Sequence, residues 1–152
     1  MAWTRDMVKI VRGLINDLTV PYSYMDVRLQ ELICVGAVLT MQEVDFAHAY
    51  VVDLSANTIT PDPTNVNDAD FQALVSLRTA CLISQCEYRD SAKKAIAVKD
   101  GPAHVDTKDR AKHLGDLSEG ACTAYQQAKG NFNTGDGSLG RAIVGPFTST
   151  CD

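Results

Sequence analysis

The chain has 152 residues, of which 45% are hydrophobic and 22% are charged, as in one ordinary soluble globular domain. Its formal net charge of -5 argues against tight, non-specific nucleic-acid binding, because such binding needs clustered lysine and arginine. No apolar run approaches the roughly 18–20 residues that a membrane span needs. The N-terminal pattern, in which charges interrupt the apolar residues, is not that of a signal peptide.

Two helices are predicted in the first third of the chain. Residues 4–18 form the first, with Thr4 as its N-cap and Pro21 breaking the pattern after it. Asp26 is the expected N-cap of the second, which runs to about Glu43. Gly36 in its middle costs about 1 kcal/mol relative to Ala, and a close helix crossing would explain it. The predicted apolar face of the first helix comprises Met7, Val8, Val11, Leu14, Ile15 and Leu18.

A β-hairpin and a long helix follow. Tyr50–Leu54 and Thr58–Thr60 are rich in β-branched residues and flank a short polar turn segment, so they predict a short hairpin. A loop with two prolines leads to a helix over Asp68–Arg89, for which Asn67 or Asp68 is the cap. This helix is expected to form the centre of the core, because its apolar stripe is broad: Phe71, Leu74, Val75, Leu77, Ala80, Cys81, Leu82, Ile83, Cys86 and Tyr88.

A second hairpin and a last helix complete the regular elements. Residues 95–98 and 103–106 flank an Asp100-Gly101 turn signal, and Pro102 predicts a loop longer than two residues. Residues 108–128 form the last helix, with an apolar stripe at Leu114, Leu117, Ala121, Ala124, Tyr125 and Ala128. The predicted fold is mainly α: a bundle of about four helices with one or two short β-hairpins and an extended C-terminal arm.

The composition changes after this helix. Residues 129–152 are rich in glycine and carry only a scattered set of apolar side chains, which cannot build a core of their own. We therefore divide the chain into a helical domain, 1–128, and an extended C-terminal arm, 129–152. The arm is expected to contact a partner surface through Phe132, Leu139, Ile143, Val144 and Phe147.

The five cysteines are odd in number and contain no CxxC pair. Cys81 and Cys86 are five residues apart, which places them on different sides of a helix. This pattern favours buried free thiols in a reducing compartment over a disulfide framework or a zinc site.

Motifs for chemistry are weak. Residues 135–140 match GxGxxG, but a dinucleotide site needs this motif between a strand and a helix of a βαβ unit, which the sequence does not provide. The same stretch does not fit an EF-hand. The histidines His48, His104 and His113 have no metal-ligand spacing. The sequence therefore predicts no enzyme, no cofactor and no metal. The alternative of a small-molecule or enzymatic domain would use Asp100, Asp106 and His113.

The order of the elements is itself informative. It comprises YSYMDVRLQELICVGAVLTMQ, the hairpin YVVDLSANTITPDP, the helix DADFQALVSLRTACLI, the turn segment AIAVKDGPAHVDTKD and a helix ending in ACTAYQQA. Over residues 3–128 this order resembles the head-tail connector proteins of tailed bacteriophages, also called adaptor or head-completion proteins.

This resemblance implies a non-enzymatic subunit of a twelve-copy ring at the head-tail junction of the virion, assembled in the host cytoplasm. The ring would dock under the portal protein, extend the DNA channel and support the next neck or tail protein. DNA would slide through without specific binding, which the acidic total favours. The arm would reach the portal or a neighbouring copy, with hairpin and loop contacts at Ile59, Asp100 and Gly101. The alternative is a small helical DNA-packaging accessory or DNA-binding protein.

Overall fold

The computed structural model describes residues 2–94, 97–100, 103–106 and 108–134, which form four helices and two β-hairpins. The helices are α1 (Trp3–Leu14), α2 (Asp26–Met41), α3 (Ala69–Lys93) and α4 (Lys108–Asn133). The strands are β1 (Val51–Asp53), β2 (Thr58–Thr60), β3 (Ala97–Asp100) and β4 (Ala103–Asp106). The predicted mainly-α class is confirmed. No helix in these ranges is long and apolar enough to cross a bilayer.

Helix α3 is the centre of the bundle, as predicted. It contacts α1, α2 and α4, so its broad apolar stripe is covered from more than one side. Its N-cap is Asp68, whose carboxylate accepts a hydrogen bond from the Phe71 backbone N–H at 2.9 Å. The buried residues of the main core come from α1, α2, α3 and the first hairpin: Trp3, Met7, Val8, Val11, Leu29, Ile33, Cys34, Ala37, Tyr50, Ile59, Phe71, Val75 and Ile83.

Helix α1 begins and ends earlier than predicted. Its first residue, Trp3, is fully buried in the core. The predicted cap Thr4 lies inside the helix, and the Asp62 carboxylate accepts the backbone N–H of Ala2 at 2.9 Å instead. The helix stops because Asn16 adopts a left-handed conformation with φ 57°, which an α-helix cannot continue.

The expected close crossing at Gly36 is confirmed. A Cβ atom at this position would lie 2.5 Å from Thr79 Oγ1 and 3.4 Å from the Val75 carbonyl oxygen, both on α3. Only a residue without a side chain lets the two helices approach this closely.

The first hairpin is confirmed, but one of its predicted contact residues is wrong. Strands β1 and β2 pair antiparallel with Val52 opposite Ile59. Ile59 is only 2% exposed and belongs to the core, because side chains alternate faces along a strand and its face is turned inward. It is therefore not available for contact with a partner.

The second hairpin is also confirmed, with a shorter connection than predicted. Strands β3 and β4 pair antiparallel up to Asp100 opposite Ala103, which leaves two residues between the strands. The longer loop expected from Pro102 is therefore wrong. Asp100 is the last residue of β3, and Gly101 lies outside the described residues.

A disulfide joins α3 to α4, which corrects the expectation of free thiols. Cys81 and Cys122 are bonded with their Cα atoms 4.7 Å apart. Their sequence separation is 41 residues, and the pairing arises from the antiparallel packing of two helices, which residue spacing does not reveal. Cys34 is free and buried, and burial raises the pKa of its thiol to about 11. Cys86 is free and exposed, and Cys151 lies outside the described residues.

Helix α4 extends past the predicted start of the arm. It ends at Asn133, so residue 129 lies within the helix. The half-buried ring of Phe132 packs against that of Phe46, with 5.7 Å between centroids. Phe132 therefore belongs to the helix rather than to an arm. The other predicted arm contacts, Leu139, Ile143, Val144 and Phe147, lie outside the described residues.

A polar cluster around Glu43 fixes α4 to the rest of the bundle. The Glu43 carboxylate accepts hydrogen bonds from Lys129 Nζ at 2.8 Å and from the hydroxyl of the fully buried Tyr125 at 3.0 Å. Arg78 forms an ion pair with the same carboxylate at 3.2 Å. The hydrogen bond from Lys129 lowers the pKa of Glu43, whereas burial raises it. The hydrogen bond from Tyr125 and the charge of Arg78 add to the first effect, so the pKa lies below its usual value.

Candidate functional site

The connection between α1 and α2 places an unusual number of apolar side chains in solvent. Met25 is 81% exposed and Val20 is 74% exposed. Single exposed apolar residues are ordinary, but a cluster on one short segment is typical of a contact site. We define the loop surface as Leu18, Val20, Tyr22 and Met25 of this connection together with Val27 in the first turn of α2.

A buried ion pair supports this loop from below. Arg12 of α1 and Asp17 of the loop are both buried, and the Arg12 guanidinium donates to the Asp17 carboxylate. The same guanidinium donates to the Tyr24 carbonyl oxygen at 2.7 Å and to the Asp26 carboxylate at 2.6 Å. Removing one partner of a buried pair leaves an uncompensated charge, so the contacts fix the loop against α1.

The loop itself closes around the Asp17 carboxylate. Asp17 accepts the backbone N–H groups of Ser23 at 2.8 Å and Tyr24 at 3.3 Å. Burial opposes ionisation of Asp17, but these hydrogen bonds and the charge of Arg12 outweigh it, so its pKa lies below the usual value. The Tyr22 ring stacks on the Arg12 guanidinium, 3.9 Å from the ring centroid. The loop surface is therefore held on a supported scaffold.

Sequence reasoning missed this surface. The loop was expected only as a break between helices, and Asp26 as an N-cap. In the structure α2 has no side-chain cap bond, and the Asp26 carboxylate binds Arg12 instead. The available signal was an apolar set without helical period on both sides of Pro21.

The first hairpin exposes a second, smaller apolar site. Val51 and Leu54 are exposed at its outer side and tip. The Asp53 carboxylate accepts the backbone N–H groups of Ser55 at 2.8 Å and Ala56 at 3.1 Å, which fixes the turn. The accessible residues of this hairpin are thus Val51 and Leu54, not the predicted Ile59.

The most concentrated polar cluster lies at the start of α3. The Asp68 carboxylate accepts the Tyr50 hydroxyl at 2.7 Å and lies 3.3 Å from His48 Nδ1. The Tyr50 ring also stacks on Phe71 with 3.9 Å between centroids. Burial opposes ionisation of Asp68, but the hydrogen bonds from Phe71 and its neighbours outweigh it and lower its pKa. These contacts give the Asp68 carboxylate a structural role: it caps α3 and binds the Tyr50 hydroxyl at the edge of the core.

The residues of the enzymatic alternative are not brought together as a group. Asp100 lies opposite Ala103 at the turn end of the second hairpin, whereas Asp106 lies opposite Ala97 at its other end. The two are separated by roughly 10 Å along the strands. His113 is an exposed residue of α4. In the part of the chain that the structure describes, no group of three or more His, Cys, Asp or Glu is placed to hold a metal ion.

An apolar groove lies between the end of α1, α3 and α4. It encloses about 610 Å³. Only two of the six predicted α4 stripe residues pack inward: Tyr125 and Ala128 join a core cluster with Val44 and Leu74. The remaining stripe residues line the groove, where Leu117 is 55% exposed. We define the apolar groove by the following lining residues, which are large apolar side chains or members of the predicted α4 stripe: Leu14, Ile15, Leu77, Leu114, Leu117, Ala121 and Ala124.

Comparison with known proteins identifies no relative. No family model, no curated protein and no solved structure matches the chain.

Proposed function

We propose that this protein is a structural subunit of a head-tail connector ring in a tailed bacteriophage. Twelve copies would dock beneath the portal protein, extend the DNA channel and support a downstream neck or tail protein. The order of elements over residues 3–128 supports this assignment through its resemblance to such connectors. The observation that carries the proposal is the loop surface, an apolar cluster that is exposed and yet held in place by a buried ion pair.

The loop surface has the properties of a protein contact. Tyr and Met, which Tyr22 and Met25 supply here, are enriched at the cores of protein interfaces. Because Arg12 and Asp17 already hold the loop, binding would not require much further ordering of the backbone, and less of the interaction energy would be lost to entropy.

The presence of two separate exposed sites also fits a subunit with two partners. The loop surface precedes α2 and the first hairpin follows it. The hairpin lies beside the middle of α2, where burial and the charge of Asp53 raise the pKa of the Cys34 thiol. A connector subunit must bind one protein above the ring and another below it. We propose that the loop surface and the hairpin residues Val51 and Leu54 serve these two contacts.

We propose further contacts from the second hairpin and the C-terminal arm. Asp100 and Gly101 would contribute from the second hairpin, and the arm would contribute Leu139, Ile143, Val144 and Phe147. The net charge of -5 would let DNA pass through the ring without being held by its phosphates.

Electron microscopy of the purified protein mixed with portal tests the proposal. The wild type is expected to add a ring of density to the portal. A Val20→Ser/Met25→Ser variant should fold normally, because both side chains are exposed, and should lose this density. Val35→Ser changes an exposed apolar residue of α2 outside the loop surface and serves as the matched control.

The outcomes separate the two parts of the proposal. A wild type that adds nothing to the portal would contradict the connector function. Wild-type docking by the loop variant would show that the loop surface is not a contact.

A further inference from the structure

The apolar groove presents an uncovered hydrophobic face within the described chain. Leu14 is 46% exposed and Leu117 is 55% exposed, and small residues of α4 form the groove floor between them. Contiguous apolar surface of this kind is normally covered by another segment or partner. The groove carries an acidic edge at Glu87 and Asp116.

We propose that, in the free subunit before any partner binds, residues 139–147 of the same chain bind in this groove, running antiparallel to α4. This inference goes beyond the connector function and does not depend on it. The segment reads Leu-Gly-Arg-Ala-Ile-Val-Gly-Pro-Phe, in which the apolar members are Leu139, Ile143, Val144 and Phe147. It follows α4 after Thr134.

The reach of the segment matches the length of the groove. Along a helix axis, Ala124 and Leu114 lie roughly 15 and 30 Å back from Thr134. An extended chain covers about 3.3 Å per residue, so Leu139 can lie up to roughly 17 Å from Thr134 and Phe147 up to roughly 43 Å. The apolar residues therefore span the groove without needing a second copy.

Charge placement agrees with the same orientation. Arg141 is the only cationic residue from residue 130 onward, and Asp116 is an exposed carboxylate at the groove edge. Asp116 lies roughly 27 Å back along α4 from Thr134. Arg141 can lie up to roughly 23 Å from the same point, and its long side chain covers the remaining distance. An ion pair between the two would fix the register.

A segment of the same chain also has a concentration advantage over a second copy. Through the short connection of residues 135–138 its effective concentration at the groove is on the order of millimolar. At about 1 µM protein, this exceeds the concentration of other copies roughly a thousandfold.

Cysteine crosslinking tests the proposal. The full chain would carry Cys86→Ser and Cys151→Ser. Cys81 and Cys122 are bonded to each other, so buried Cys34 is the one native free thiol that remains. Leu117→Cys is combined with Ile143→Cys and treated with a short bis-maleimide at about 1 µM protein. The control pair places the first cysteine at Val27, which is exposed but outside the groove.

The groove pair is expected to give an intramolecular product at the monomer mass, at least about tenfold above the control pair. Equal yields from both pairs would contradict binding in the groove. A product at the dimer mass would show that a second copy supplies the occupant and would overturn the proposal.

A charge exchange provides a second measurement that does not depend on apolar packing. Asp116→Arg should lower the crosslinked fraction of the groove pair several-fold, because it faces Arg141 with a like charge. Adding Arg141→Asp should restore the fraction. Failure of the exchange to restore crosslinking would contradict the proposed register.

Discussion

Replacing Gly36 by alanine tests the packing at the centre of the bundle. The new methyl carbon would lie 2.5 Å from Thr79 Oγ1, closer than van der Waals contact permits, and 3.4 Å from the Val75 carbonyl oxygen. The Thr79 hydroxyl donates to that same carbonyl at 2.7 Å, so moving it also disturbs a buried hydrogen bond. The helices α2 and α3 must therefore separate or Thr79 must change its rotamer.

The net effect is the difference between one gain and two costs. Alanine gains about 1 kcal/mol over glycine in a helix interior. Overpacking a well-packed core costs roughly 1–3 kcal/mol, and disturbing a buried hydrogen bond costs roughly 1–3 kcal/mol more. We expect Gly36→Ala to lower the free energy of unfolding by about 1–5 kcal/mol, because the two costs exceed the gain in helix propensity. Adding Thr79→Ala removes the clashing atom and should recover at least about 1 kcal/mol of that loss.

Urea unfolding followed by circular dichroism and by the fluorescence of the single tryptophan, Trp3, measures these changes. Gly130→Ala is the matched control. Gly130 lies in α4, and a Cβ atom added there would have no neighbouring atom within 4 Å outside the helix's own backbone. It should be neutral or stabilising by up to about 1 kcal/mol. If Gly36→Ala is as stable as Gly130→Ala, the helices do not cross as closely as described.

Three further predictions concern the covalent bond, the cap of α3 and the end of α4. Cys122→Ser should lower the free energy of unfolding by about 4 kcal/mol, the loop-closure entropy for a separation of 41 residues. Asp68→Asn should cost about 1 kcal/mol at neutral pH, because a neutral amide replaces the charged acceptor of the hydrogen bonds from Tyr50 and Phe71. Because the pKa of Asp68 is lowered in the folded protein, its stabilisation is present above pH about 4 and is lost as the pH falls through the folded value; the variant should lack this part of the acid dependence. Truncation after Thr134 should leave cooperative unfolding intact, whereas truncation after Ala128 should cost roughly 2–4 kcal/mol because it removes Phe132 from the aromatic core.

Each of these has its own control. Cys86→Ser removes an exposed free thiol and should change stability by less than about 0.5 kcal/mol; a thiol count showing Cys81 and Cys122 both free would refute the bond. An unchanged acid transition in Asp68→Asn would show that another carboxylate governs it. Equal stability of the two truncations would mean that Phe132 contributes nothing to the core.

The regular elements could be predicted because local signals determine them. The cap at Asp68 and the turn between the first two strands follow from residues next to one another in sequence. Gly36 is a special case. Glycine lowers the stability of a helix interior, so its presence there predicts a close helix crossing without identifying the partner helix.

The features that the sequence did not predict depend on contacts between residues that are far apart in the chain. The start of α1 at Trp3 is stabilised by Asp62 of the loop before α3. The bond between Cys81 and Cys122 requires the register of two antiparallel helices. Alternation correctly predicted strands around Ile59, but not which face of the hairpin packs against the core.

The loop surface was missed for a related reason. Pro21 and its neighbours indicate only that a helix ends. The loop is ordered by the buried pair of Arg12 and Asp17, and an arginine in an amphipathic helix is ordinarily expected at the surface.

The mass of the complex with portal is the most direct test of the connector function. Native mass measurement of portal saturated with this protein should show a discrete addition of about 200 kDa, as twelve subunits of 16.5 kDa would give in a closed ring. The Val20→Ser/Met25→Ser variant should leave the portal mass unchanged. No addition by the wild type at saturating concentration would contradict the proposed function.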